Sequence, residues 1–473
     1  MQSLTQQLAD FASHTGYGDL PQPVIHEAKR VILDSLGCAL AGMAVDKGSL
    51  SVKLARRLGG PPEASIIGSR GKVSCAQAVF ANGELINALD FDAILRPLIH
   101  VTPFVLPSAL ALGECNKSSG QQFILAAVLG HEVSCRVGAG MSSPRKIIGE
   151  GPDRGKMEWL PVYGYSANVF GSAAAAGIML GLDSNRMAYA FGIAGYNSPM
   201  QASSQWHHSG TEALTKFASG GWIAQTGLTA ALLAEMGYSG DVTVLDGEHS
   251  YWRFAGSETW RPERVVHNLG RDWHLLNTRY KLYPCCGIIQ ASLDCLTDIL
   301  EEKRLEAKDI EKIQVWLDPH AEMPLWQNRN IDNEVQAQFS VPYVIAVGAS
   351  GLSRGIEWQD PATRHSPDVQ QLMDRVSYST HPGFGAAALA NPAAQMARVE
   401  VRSHGQTFSK ETDFTRGAAT PEIAHVSDEV LEDKFCQNVS GILPRQRIVK
   451  IINTVWELEQ LQDITQLTSL LAK

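Results

Sequence analysis

The run Arg279-Tyr280-Lys281-Leu282-Tyr283-Pro284-Cys285-Cys286 sets cations, phenols and two thiols around a proline, whose fixed φ and missing N–H rule out ordinary mid-helix geometry. It reads as a site and not as a core element. A second lysine stands in Thr215-Lys216-Phe217-Ala218-Ser219-Gly220-Gly221-Trp222, and Asp90-Phe91-Asp92 is followed shortly by His100. Lysines catch carboxylates through charge-assisted hydrogen bonds, and an imidazole beside a carboxylate suits proton transfer near neutral pH. Together these groups point to acid–base chemistry on a small carboxylated molecule.

Each residue also has a plainer reading. A lone aspartate after a helix is a solvated loop carboxylate, and it is His100 that shifts Asp90 toward proton transfer. Lys216 would be a surface lysine, except that Gly220 and Gly221 let backbone approach a ligand and Trp222 offers a wall. His207 and His208, in a loop nearby, are cleft candidates or surface histidines. Lys281 would hold a second carboxylate or act as a base, with Arg279 as a further anion contact and Tyr283 as support. A cation at Lys281 or Arg279 would lower the Cys286 thiol into acid–base range, whereas Cys285 reads as buried and structural.

The elements that must position these groups change along the chain. Val24, Ala28, Val31, Ile32, Ser35 and Leu36 share a helical face, as do Phe123, Ala126, Ala127, Leu129 and Gly130, and Gly171 to Gly177 reads as a tightly packed interior helix. An all-helical domain is expected over 1–270. Ile288, Ala291, Cys295 and Ile299 recur at helical steps, Lys312 to Leu317 alternates as a strand, and Arg398 to Arg402 and Gln406 to Ser409 flank a Ser403-His404-Gly405 turn. A smaller α+β lid domain is expected over 271–410. The tail, 411–473, returns to helix, with Ser427 and Asp463 as caps, and is expected to pack on the first domain. The site is then expected in the cleft between the domains.

At 473 residues the chain is long enough for two domains with ample burial, and its net charge of −9 excludes a general nucleic-acid surface. The eight cysteines are scattered with no Cys-x-x-Cys pair, which predicts reduced thiols and a cytoplasmic setting. No charged-then-apolar leader is read, and the run Ala173 to Leu182 is too short to span a bilayer. His131-Glu132 lacks the second histidine of a zinc helix, Gly383-Phe384-Gly385 lacks the rest of a dinucleotide fingerprint, and neither a phosphate loop nor clustered iron–sulfur cysteines occur. Neither metal nor cofactor is expected.

These passages, with Ala28 to Gly42, Asn87-Ala88-Leu89-Asp90-Phe91-Asp92, Leu106-Pro107-Ser108-Ala109-Leu110-Ala111, Phe339-Ser340-Val341-Pro342-Tyr343 and Leu431-Glu432-Asp433-Lys434-Phe435, run in the order and spacing of one family. The chain resembles the MmgE/PrpD family, which contains 2-methylcitrate dehydratase, cis-aconitate decarboxylase and iminodisuccinate epimerase. The resemblance implies a large helical domain with a smaller lid domain, a homodimer, Asp90 and His100 in the active site, and Lys216 and Lys281 as carboxylate binders. It also shows departures. The family's His-Pro-Gly or His-Pro-Ser is here His100-Val101-Thr102, Ala93, Ile94 and Leu95 replace polar residues, Cys286 stands where decarboxylase-like members carry histidine, and a lyase histidine falls on Val162, near Tyr163 and Tyr165.

The reading placed first is an enzyme that removes the proton next to a carboxylate of a small di- or tricarboxylate and returns it on the other face, an epimerase of the iminodisuccinate type. A hydro-lyase or decarboxylase stands beside it. So does a carboxylate-binding protein without turnover, since a fold does not prove an activity.

Overall fold

The computed structural model describes residues 2–95, 100–141, 145–149, 156–159, 164–209, 213–391 and 394–472. Helices dominate the first half. The Asn168–Met179 helix, with Ala173 to Ala176 fully buried, packs against Gly120–Gly140, Thr102–Asn116 and Gly220–Glu235. Small residues permit this close approach: a Cβ on Gly171 would sit 2.3 Å from the Gly130 carbonyl oxygen. The Gly120–Gly140 helix is long and apolar enough to cross a membrane, and its side chains are taken up by this core.

The second half holds a four-stranded sheet in the order Gln406–Thr412, Ala397–Ser403, Ile310–Leu317, Val376–Thr380. The first three strands are antiparallel and the last pair is parallel. The hairpin turn at His404-Gly405 has both residues at positive φ, 50° and 74°, the pairing that a two-residue turn matched to strand twist requires. The Gln290–Lys303 helix covers the sheet and packs on Val341–Ala349. The structure is thus a large helical domain joined to a smaller α+β domain.

The tail packs back on the start. The Asp428–Val439 helix packs on Gln22–Gly42. Asp463 Oδ1 accepts the Thr465 N–H at 2.8 Å at the head of the last helix, while Ser427 occupies its cap position without accepting a backbone N–H and bonds the Glu429 side chain instead.

A short ribbon joins the halves where it matters for chemistry. Ile94 and Leu95 pair antiparallel with Arg279 and Thr278. Asp90 and Asp92 lie just before one strand, and Lys281 just after the other.

Candidate active site

The site is built on the turn that follows the Cys75–Ile86 helix. Asp90 adopts φ 53°, a left-handed conformation that aspartate tolerates better than most side chains. Contacts from distant segments hold it. Lys434 Nζ donates to the Phe91 carbonyl at 2.7 Å and to Asp34 Oδ1 at 2.5 Å, and lies 3.9 Å from the centre of the Phe91 ring. Asp34 Oδ2 accepts the Ala93 N–H at 3.1 Å. From the second domain, Gln338 Nε2 donates to the Ala88 carbonyl at 2.7 Å, and Gln359 Nε2 to those of Leu89 at 2.9 Å and Pro284 at 3.0 Å.

At the centre, Asp90 is gripped by two buried lysines. Lys216 Nζ donates to Asp90 Oδ1 at 3.0 Å and to the Asn87 carbonyl at 2.8 Å. Lys281 Nζ donates to Asp90 Oδ2 at 2.6 Å and to the Asp90 carbonyl at 2.7 Å. Burial alone would push the Asp90 carboxyl up; the ammoniums of Lys216 and Lys281 outweigh it and hold it well below the usual carboxylate range. The lysines diverge: burial brings Lys216 down despite Asp90, whereas Asp90 and Asp92 together outweigh burial and raise Lys281.

His100 belongs to the other carboxylate. Its Nδ1 lies 2.7 Å from Asp92 Oδ2, and its Nε2 is 3.8 Å from Asp90 Oδ1. Asn87 Nδ2 donates to Asp92 Oδ1 at 2.9 Å. With Nδ1–H given to Asp92, Nε2 is the working nitrogen, an assignment that follows from the hydrogen bonds. Burial opposes ionisation of Asp92, and the neighbouring imidazole outweighs it, so this carboxyl too lies below its ordinary value. Phe217 stacks on the imidazole with centroids 4.8 Å apart and planes at 16°, and Tyr165 lies against Phe217.

The remaining sequence candidates disperse. The Cys286 thiol is pushed up to about 11, by burial first and Asp90 second, and Lys281 does not offset them. The expected lowering by cations is therefore reversed, and the thiol keeps its proton at neutral pH. Cys285 is fully buried, and burial pushes its thiol well above the ordinary value. Tyr283 turns into the second domain, its hydroxyl 3.1 Å from Thr297 Oγ1 and 3.3 Å from Asp294 Oδ1, with Arg354 over its ring. Arg279 lines a cavity of about 240 Å³ with Asn277, Gln395, Thr415 and Thr420.

His207 is buried, with Nδ1–H donating to the Ser203 carbonyl at 2.6 Å, and stacks parallel on Trp326 at 5.4 Å. Burial, aided by His320, drives it down to about 3, so it is neutral. His208 is exposed. Gly220 and Gly221 serve helix packing and not a ligand: a Cβ on each would sit 2.6 Å from the Gly83 oxygen and 2.5 Å from the Phe80 oxygen. Trp222 is 52% exposed, so it is no wall of this buried cluster. Val162 and Tyr163 lie outside the described residues.

Sequence reasoning passed over Asp92 as the partner of His100, Asn87 as its support, and Phe217 and Phe339 as the aromatic faces near Lys216, 5.3 and 5.7 Å from its Nζ. Asp92 had a signal, its place two residues after Asp90 beside a histidine. Among the described residues no three His, Cys, Asp or Glu side chains converge as a metal site.

Comparison with known proteins places the chain in a family. The MmgE/PrpD N-terminal domain matches residues 6–262 and the MmgE/PrpD C-terminal domain residues 283–458. Cis-aconitate decarboxylase of Aspergillus terreus is 27% identical, over 99% of this chain and 96% of its own. The human cis-aconitate decarboxylase is 27% identical over 100% and 95%, and the mouse protein 25% over 100% and 94%. Both domains of one family thus account for nearly the whole chain, which belongs to the MmgE/PrpD family.

Proposed function

We propose that this enzyme is a lyase that removes carbon dioxide from an unsaturated tricarboxylate of the cis-aconitate type. The observation that carries the reading is Asp90 clamped between Lys216 and Lys281 beside the His100–Asp92 pair. In such a substrate the departing carboxylate hangs on a CH₂ next to a carbon–carbon double bond whose far carbon bears another carboxylate. Breaking the bond to the departing carboxylate leaves its electron pair to form a new double bond. The old π pair moves to the far carbon, where a proton is added. One proton enters and one carbon dioxide leaves.

The reaction asks the protein for cations that hold the retained carboxylates and for one acid. An ammonium has three N–H donors, and each lysine gives two to protein acceptors, leaving a third for substrate. His100 Nε2 is then the donor to carbon, with Asp92 stabilising the imidazolium. The protonated thiol of Cys286 is a second donor.

An epimerase of the iminodisuccinate type would need a base on each face of the carbon. A thiol at about 11 already carries its proton at neutral pH and is not available as the second base, and the relatives compared above are decarboxylases. Both points favour the lyase reading. Proton NMR in deuterium oxide with citrate, 2-methylcitrate, cis-aconitate and iminodisuccinate tests it. The expected result is a 2-methylidene dicarboxylate from cis-aconitate, carrying one solvent deuterium and matched by carbon dioxide. Inversion of iminodisuccinate or dehydration of 2-methylcitrate, with no carbon dioxide from cis-aconitate, overturns it.

A further inference from the structure

Cysteines forty residues apart in sequence meet in space. Cys75 opens the Cys75–Ile86 helix and Cys115 closes the last turn of Thr102–Asn116, two helices that pack on one another. Both are free thiols, and their sulfurs are 2.8 Å apart, within about 1 Å of the bonded length. The spacing in sequence hid the pair, because neither a Cys-x-x-Cys motif nor a disulfide framework announces it.

We propose that Cys75 and Cys115 form a peroxide-sensitive dithiol that closes reversibly to a disulfide. Cys115 is the half-buried member, reachable from solvent, whereas Cys75 is 7% exposed. The two thiols share one S–H···S hydrogen bond, which outweighs burial to bring the Cys115 thiol below its ordinary value while Cys75 rises. Cys115, the member that peroxide can reach, is the attacking thiolate. It takes one oxygen from hydrogen peroxide, becoming a sulfenic acid as the peroxide is reduced to water. Cys75 then attacks that sulfur, its proton joins the leaving hydroxide, and a second water departs. In sum, two thiols and one peroxide give one disulfide and two waters.

The position of the bond gives it meaning for the site. Asp90 lies fifteen residues after Cys75, and His100 fifteen before Cys115. The disulfide would close a loop that contains Asn87, Asp90, Asp92 and His100, fixing together the two helices that lead into and out of the catalytic turn. A bond of this loop length restricts the unfolded chain more than the folded one.

Peptide mapping of the full-length protein tests the proposal. The protein is treated with equimolar hydrogen peroxide, blocked with N-ethylmaleimide and digested. The expected product is a linked pair of peptides carrying Cys75 and Cys115, reversed by dithiothreitol, with Cys436 alkylated as the internal control. The thermal midpoint should rise by about 2–5 °C on oxidation, and Cys75→Ser should lose both the link and the rise. Cys115→Ser serves in its place should Cys75→Ser fold poorly. Full alkylation of both cysteines after peroxide, or a Cys115 sulfenic acid that accumulates in the unmutated protein without condensing, overturns the proposal.

Discussion

Lys281 holds Asp90 twice, donating to its carboxylate at 2.6 Å and to its own backbone carbonyl at 2.7 Å. One side chain therefore fixes both where the carboxylate points and the left-handed backbone that presents it. Lys216 reaches the same carboxylate from the helical domain. Orientation and charge at the centre of the site thus depend on lysines from two separate passages.

Loss of either lysine should cost turnover. Lys216→Ala and Lys281→Ala are each expected to lower kcat/KM by at least roughly 10- to 100-fold, the worth of one charge-assisted hydrogen bond to substrate. Lys281→Ala should also destabilise more, because it frees the backbone of Asp90 as well as its charge. Steady-state kinetics paired with urea unfolding check both statements.

Asp90 gives a signed pH dependence. Its carboxyl is lower in the folded than in the unfolded chain, so its contribution to stability is present above the unfolded value of about 3.9 and is lost as pH falls through the folded one. Asp90→Asn should be less stable than the parent at pH 7, and the difference should shrink in acid below about pH 4. Urea midpoints across the pH range measure this.

Glu132 supplies the opposite sign. It is buried in the Gly120–Gly140 helix, accepts the Leu275 N–H at 3.0 Å, and is raised to about 7 by desolvation, which the Leu275 bond and Arg136 only partly offset. The folded state keeps this proton longer than the unfolded one, so stability falls as pH rises from about 4.3 to about 7. Glu132→Gln should remove that slope in pH-resolved thermal melts while leaving KM unchanged.

Asp92→Asn separates positioning from binding. The amide keeps the shape but favours the wrong imidazole tautomer, so kcat is expected to fall by about 10²- to 10⁴-fold with little change in KM. His100→Ala should be at least as damaging. Cys286→Ala should stay within about tenfold of the parent; a drop to the His100→Ala level would move the donor role to the thiol.

Chelation should leave turnover unaltered. The sequence holds no ligand spacing for a metal, and among the described residues no ligand set converges. A loss restored by one added metal would contradict the scheme.

Asp90, His100, Lys216 and Lys281 were legible in the sequence because their types and neighbours suit one chemistry, and the structure brings all four together. Which carboxylate meets which base was not legible. That depends on the turn at Asp90 and on a ribbon of two-residue strands, too short for any periodicity to reveal. The glycines beside Lys216 were misread for a related reason: close approach to a helix and close approach to a ligand demand the same absence of a side chain. Tyr283 shares a passage with Lys281 yet faces Asp294 and Thr297, because the backbone bends through residues 282–285 and no regular period relates the two side chains. The Asn168–Met179 helix and the His404-Gly405 hairpin were read correctly, being long enough or sharp enough to carry their own signal, whereas His207 and His208, expected in a loop, lie in the seven-residue Ser203–Ser209 helix.

Lys281 lies in the interval 263–282, between the stretches matched to the two family domains, yet it touches the centre of the site. Gln338 and Gln359 clasp the same turn from beyond that interval. Chimeras that exchange halves between relatives therefore have a hidden third part. The donor of this joint decides how Asp90 is presented, so a crossover on either side of it is a different experiment.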